Sequence, residues 1–319
     1  TPEVSAEQAI VRVSNTVVNQ LDHPAEISIN TSLTGPQGQE TEVYRITGTI
    51  PPGGTVVLDQ EIPLQSPALW SPSTPDLYLA RSTVILGEVS VDRLVSVFGI
   101  RSLEFDVEHG FSLNGDKIHL RGGNMHHDNG PLGAATIDRA EYRRVELMKS
   151  NGYNAIRTSH NPPSTQFLDA CDLHGILVID EAFDMWQRPK NPQDYHLYFD
   201  DWWKRDLSSM VLRDRNHPSV IMWSIGNEIN ERADSSGLAL TRQMYDLVKQ
   251  HDPTRPVTEA ICRFWDHQGR SWEETAPAFA LLDVGGYNYL WPKYVPDHEK
   301  YPNRIIAGTE SIAMEAWQY

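Results

Sequence analysis

Cysteine is scarce: Cys171 and Cys262 are the two in 319 residues. Two thiols so far apart build neither a disulfide framework nor a structural zinc site, and both read as plain buried thiols. Long apolar runs are missing as well. None approaches the ~20 residues that span a bilayer, so no membrane insertion is expected of this stretch. The opening Thr1-Pro2-Glu3 lacks the basic-then-apolar pattern of a secretory leader, which would have to lie upstream. Positive charge is in deficit, 27 Lys and Arg against 43 Asp and Glu, and the formal charge of −16 repels phosphate backbones. Nucleic acid is thereby excluded as a partner, whereas a neutral ligand is indifferent to that field. There is no low-complexity segment.

What is present is an ordinary globular composition, 39% hydrophobic and 22% charged, over a length that favours two domains. Up to about residue 105 the chain reads as strands. Residues 10–14, 26–30, 55–58, 78–84 and 89–98 are rich in β-branched and aromatic side chains, and Pro51-Pro52-Gly53-Gly54 and Gln65-Ser66-Pro67 supply turns. An immunoglobulin-like antiparallel sandwich over 1–105 is the economical fold. From 106 to 319 the pattern becomes strand, loop, amphipathic helix, strand, the signature of parallel βα units and of a (β/α)8 TIM barrel. Seven strands can be placed, at 118–122, 153–159, 176–180, 220–224, 256–259, 282–287 and 304–308. Asp138 and Ser164 are the expected caps of the first two helices, Gly152 and Gly175 follow their ends, and Trp203, Leu207, Met210 and Val211 share one face of the third. The barrel stops one βα unit and one helix short at Tyr319, so we expect the chain to be a piece of a longer protein, truncated after its seventh strand.

Chemistry concentrates at the C-terminal ends of these strands, the active face of a barrel. The strand after Asp214-Arg215-Asn216-His217-Pro218 runs into Asn227-Glu228. The plain alternative is a polar pair at a strand-to-helix turn. Arg304-Ile305-Ile306-Ala307-Gly308-Thr309-Glu310 again delivers a carboxylate at a strand end. Strands four and seven face each other across a barrel mouth, and hydrolysis of a glycosidic bond needs two carboxyls flanking one anomeric carbon. About 5 Å between them would permit retention of configuration. The second strand ends in Arg157, Thr158, Ser159 and His160. A guanidinium there can bond the nucleophile, with a structural ion pair as the alternative, and His160 lies farther out among hydroxyl-binding positions. His126 and His127 leave the first strand, but neighbouring side chains on extended backbone point apart, which makes them a poor chelating pair and leaves one of them a hydroxyl ligand. Tyr287 reads as core. Trp186, Trp265, Trp272 and Trp291 fall in loops of the active face, where rings can stack on sugars or merely anchor the loops.

These segments, with Trp70-Ser71-Pro72, resemble glycoside hydrolase family 2 from the sandwich to the end of the chain. The resemblance implies a retaining exo-β-glycosidase in which Glu228 is the acid/base, Glu310 the nucleophile, Asn227 a ligand to the sugar 2-hydroxyl and Tyr289 a hydrogen-bond partner of the nucleophile. His126, His160 and Arg157 match further site positions. The stretches around His126-His127-Asp128 and Tyr195-His196-Leu197-Tyr198-Phe199 are similar to the bacterial β-galactosidase branch, implying terminal non-reducing β-galactosides as substrates. A jelly-roll domain would precede the sandwich in that family.

One departure concerns metal. The magnesium-dependent enterobacterial members carry Glu-x-His shortly after Asp-Glu-Ala, whereas Asp180-Glu181-Ala182 is followed here by Phe183-Asp184-Met185-Trp186-Gln187. No metal and no cofactor are therefore expected, and a carbohydrate is the expected partner, with homo-oligomerisation left open. A β-glucuronidase of the same family and a non-catalytic carbohydrate-binding fragment are the competing readings. The full-length protein is expected in the periplasm or outside the cell.

Overall fold

The computed structural model describes residues 1–264 and 269–311. They divide into two compact units, Thr1–Ser102 with Asn216–Pro218, and Leu103–Arg215 with Ser219 onward.

The first unit is a sandwich of β1 (Glu3–Val4), β2 (Gln8–Val18), β3 (Ala25–Thr34), β4 (Tyr44–Ile50), β5 (Thr55–Gln65), β6 (Tyr78–Leu86) and β7 (Val89–Phe98). The sheets run β1-β2-β5 and β4-β3-β6-β7, and every pairing is antiparallel. Period-two burial explains the layering: Ala9, Val11 and Ile62 of one sheet pack on Leu33, Tyr78 and Ala80 of the other. Strand β4 was not expected. It pairs with β3 alone among the described residues, and Arg45, Thr47 and Gly48 dilute its apolar signal.

The second unit opens with a small sheet of β8 (Leu103–Asp106), β9 (Gly110–Leu113) and β10 (Asp116–Lys117). Seven parallel strands follow in chain order: β11 (Gly122–His126), β12 (Ala155–Ser159), β13 (Leu177–Glu181), β14 (Val220–Asn227), β15 (Val257–Ile261), β16 (Gly285–Asn288) and β17 (Ile306–Glu310). The connecting segments carry α1 (Asp138–Ser150), α2 (Thr165–His174), α3 (Phe199–Asp214), α4 (Ser235–His251), α5 (Ala276–Phe279) and α6 (Tyr294–Lys300). This is a TIM barrel through its seventh strand. The sheet is curled, because Arg157 on β12 hydrogen-bonds Glu310 on β17 at 2.9 Å although four strands separate them in the sheet.

Helix α2 shows how local sequence sets these positions. Ser164 accepts a hydrogen bond from Phe167 N at its start, and Gly175 closes its end in the left-handed region. Such a cap is worth about 1 kcal/mol. Trp203, Leu207, Met210 and Val211 of α3 are all buried. Asp138, in contrast, is the first helical residue of α1 rather than its cap; the cap position is Ile137, with no side-chain bond, and Asp138 is left to favour the helix dipole.

The first barrel strand also departs from expectation, starting at Gly122 where 118–122 was assigned. The apolar residues Ile118 and Leu120 belong to the approach: Ile118 N bonds Phe111 O, and Asn154 grips His119 O and Arg121 N. Two glycines begin the strand instead, since a Cβ on Gly122 would stand 3.3 Å from that of Ala155. Strand β12 ends at Ser159 as expected, and β13 to β17 extend one to three residues beyond their expected C-terminal ends, most at β14, which continues to Asn227.

Candidate active site

All eight residues of β14 are buried, and Val220, Trp223 and Ile225 pack into the large core with Trp186 and Trp203. Strict alternation would not bring both Ser224 and Asn227 to the barrel interior. The ladder with β15 slips between those two residues, re-aiming the strand end. Asn227 N then bonds Phe183 O at 2.9 Å and Glu228 N bonds Ala260 O at 2.7 Å. Glu228 itself has φ +46°, a backbone state that non-glycine residues hold only when their flanks are fixed. At the facing end, β16 and β17 slip after Tyr287 so that Asn288 pairs with Glu310. Tyr289, at φ +58°, donates its N–H to Glu310 O at 2.6 Å.

Arg157 organises the interior. Its side chain is 3% exposed. Nε donates to Glu181 Oε2 at 2.8 Å, Nη2 to Glu181 Oε1 at 2.9 Å and to Asn227 Oδ1 at 2.8 Å, and Nη1 to Glu310 Oε1 at 2.9 Å. Glu181 also accepts from Ser224 Oγ at 2.6 Å and faces His160 Nδ1 at 2.8 Å. Burial alone would push the Glu181 carboxyl up, but the Arg157 charge, His160 and Ser224 hold it below the usual range. His160 Nε2 lies 3.6 Å from Glu310 Oε1, and the His126 ring meets the His160 ring edge-on at 5.0 Å. His127 turns away to the carbonyl of Ala134 at 3.0 Å. Burial, then a hydrogen bond to Glu310 and the charges of Glu310 and Glu228, push the Tyr289 phenol up.

The two strand-end carboxylates have different partners. Glu310 meets a guanidinium. Glu228 Oε1 accepts from the neutral amide of Asn288 at 3.1 Å, and Asn288 is itself oriented by Thr309 Oγ1 at 2.7 Å. Asn227 Nδ2 donates to Asp184 Oδ1 at 2.9 Å. One wall, formed by His160 and Asp184, is shared with a cavity of about 490 Å3 that runs past Met185 and Tyr195 to Met210 and Arg213.

Residues 106–268 match the family description "Glycosyl hydrolases family 2, TIM barrel domain", and residues 1–101 match "Glycosyl hydrolases family 2". The chain belongs to glycosyl hydrolase family 2. It is similar to a β-galactosidase of Bacteroides ovatus, 38% identical over 98% of this chain and 40% of the relative. Among solved structures, a family 2 member from Bacteroides cellulosilyticus is 40% identical with a TM-score of 0.93, covering 100% of this chain and 40% of that one. Bacteroides uniformis β-glucuronidase 2, solved covalently bound to cyclophellitol-6-carboxylate aziridine, is 28% identical with a TM-score of 0.81, over 96% and 38% of the two chains. The chain thus spans about 40% of the length of each of these three.

Within this family 2 site the structure brings together Glu228, Glu310, Asn227, Arg157, His160, Tyr289 and, at its rim, His126. Of the two readings open for the tryptophans, two side chains follow the anchoring one. Trp186 is fully buried with Nε1 on Ile225 O at 3.1 Å, and Trp272 is buried with Nε1 on Asp297 at 2.6 Å, so neither offers a face to a sugar. Both rings anchor their loops in the core. Trp291 is exposed, and Trp265 lies outside the described residues. Tyr287 is core, its hydroxyl donating to Asp297 at 2.9 Å. Glu181, Asn288, Asp184 and Lys190 were not singled out from sequence. Glu181 carried a readable signal, an acid closing an apolar strand just as Glu310 does.

In the turn where magnesium-dependent relatives carry Glu-x-His, the donor set does not suit a divalent cation. Met185 is buried, Gln187 Nε2 bonds Asp200 at 2.7 Å, and Asp184 is paired with Lys190 at 2.7 Å. A lysine ammonium already neutralises the carboxylate of that turn.

Proposed function

We propose that this chain carries the catalytic centre of a retaining exo-β-glycosidase that releases terminal β-galactosyl residues through a covalent glycosyl-enzyme. The observation that carries the reading is the asymmetry of the two facing carboxylates: Arg157 grips Glu310, and a neutral amide meets Glu228. In the first step Glu310 attacks the anomeric carbon while Glu228 gives its proton to the departing oxygen. In the second, Glu228 takes a proton from water, which displaces Glu310 and restores it. Asn227, Tyr289, His160 and His126 would hold the sugar and the nucleophile in register. The full-length protein is assigned to the periplasm or the exterior, where polymeric carbohydrate is met.

The similarity to B. ovatus β-galactosidase supports galactoside as substrate, and the likeness to B. uniformis β-glucuronidase 2 supports a second reading, a β-glucuronide. Hydrolysis of nitrophenyl β-galactoside and β-glucuronide by the full-length protein separates them. Turnover of the glucuronide alone would replace the first reading, and turnover of no β-glycoside would remove both.

A further inference from the structure

Asp184 and Lys190, in the segment after β13, have no part in the reaction as written above. Lys190 Nζ donates to Asp184 Oδ1 at 2.7 Å and to the main-chain carbonyl of Asn227 at 2.9 Å. That carbonyl belongs to the peptide joining Asn227 to Glu228. Asn227 Nδ2 donates to the same Asp184 oxygen at 2.9 Å, so a closed ring of bonds links ammonium, carboxylate, amide and peptide. Burial pushes the Asp184 carboxyl up, but the hydrogen bonds from Lys190 and Asn227 bring it below its usual range.

The segment that bears Lys190 is itself pinned. The N–H groups of Lys190 and Asn191 both donate to Asp194 Oδ2, at 2.8 and 2.7 Å, and Arg188 N donates to Glu231 Oε1 at 2.6 Å. With Phe183 O on Asn227 N, this segment grips the chain on both sides of Glu228, whose positive φ needs fixed flanks. An exposed lysine–aspartate pair is worth little. Here the ammonium, with its side chain only 23% exposed, also bonds the peptide that carries the carboxyl.

We propose that Lys190, oriented by Asp184, is a positioning residue for Glu228, fixing the Asn227–Glu228 peptide so that the carboxyl stays aligned with the departing oxygen. The inference rests on Glu228 being the acid/base. A residue that aligns the acid matters in proportion to the help the leaving group needs.

The test is kcat/KM of the full-length protein and its Lys190→Met, Lys190→Arg and Asp184→Asn variants, across aryl β-galactosides of graded leaving-group acidity plus lactose. Misalignment near 1 Å costs about 10²-fold. Lys190→Met is expected to lose about 10- to 100-fold on lactose and poorly activated aryl galactosides but less than about threefold on the dinitrophenyl galactoside, steepening the dependence on leaving group. Asp184→Asn should steepen it in the same direction, and Lys190→Arg should restore part of the loss. A loss equal for all aglycones, as a smaller folded fraction would give, overturns the proposal, and so does no loss. If Lys190→Met does not fold, the near-isosteric Asp184→Asn carries the same comparison. A wild type inactive on every β-glycoside removes the functional reading together with this one; an active wild type with an unchanged slope in the variants removes this one alone.

Discussion

Arg157 and Glu181 form a buried two-pronged ion pair, Nε to Oε2 at 2.8 Å and Nη2 to Oε1 at 2.9 Å, which turns Nη1 toward Glu310. Both prongs come from adjacent strands of the barrel, β12 and β13, so the direction of the third nitrogen is set by the scaffold and not by a mobile loop. Breaking a buried pair from one side leaves an uncompensated charge, which costs more than the pair itself contributes.

Glu181→Gln should therefore destabilise the protein by about 3–5 kcal/mol at pH 7, read from urea unfolding. The folded carboxyl is held below its ordinary value, so its contribution is present above the unfolded glutamate pKa of about 4.3 and fades as pH falls through the folded value. The gap between wild type and variant should narrow in acid. A gap below about 1 kcal/mol at pH 7 would mean that Ser224 and His160 compensate for the lost charge.

Glu228→Gln and Glu310→Gln should each nearly abolish turnover, but azide should separate them. Under the proposed mechanism, Glu228→Gln should still form the glycosyl-enzyme on an activated galactoside, and azide should then replace water without needing a base, giving a β-azide product. Recovery of an α-linked azide from Glu228→Gln would exchange the two roles.

Chelation should leave activity within about twofold, because the proposed mechanism needs only the two carboxylates and Asp184 is neutralised by Lys190. Dialysis against a strong chelator followed by assay checks this; a large loss restored by magnesium would point to a metal site elsewhere in the full-length protein.

The carboxylates at the ends of the fourth and seventh strands were legible from sequence because each closes a short apolar run, fully buried at β14 and partly buried at β17. What was not legible depends on side-chain direction. Asp180 and Glu181 are neighbours in sequence, yet Glu181 enters the arginine network while Asp180 sits fully buried and is pushed up, by burial first and then by Asp214. Period two separates them to opposite faces, but which face is inward requires the register. At β14 even that rule fails, since the slip between Ser224 and Asn227 is a property of two paired strands. For the same reason the sequence left open whether Trp186 stacks on a sugar or anchors its loop; the ring is fully buried with Nε1 on the Ile225 carbonyl.

Glu259 makes the last prediction. It lies on β15 with its carboxyl fully buried, Oε2 3.4 Å from Thr241 Oγ1 on α4, and Oε1 without a hydrogen-bond partner among the described residues. Burial raises its pKa to about 8; the Arg232 charge and Thr241 oppose that, while Glu231 and Glu181 add to it. Raised above the unfolded value of about 4.3, the folded carboxyl keeps a proton that the unfolded chain has lost. Between roughly pH 4.3 and 8 the native state therefore binds more protons, and stability falls as pH rises, by at most about 1.4 kcal/mol per pH unit from this group. Glu259→Gln keeps the size and stays neutral at every pH. Against wild type it should be close to neutral near pH 5 and more stable by a few kcal/mol, on the order of the integrated slope, near pH 8. Urea unfolding of both proteins from pH 5 to 9 reads the difference directly. A difference that is constant across that range would show that Glu259 ionises in the folded state as readily as in the unfolded chain, with Arg232 as its effective counter-charge.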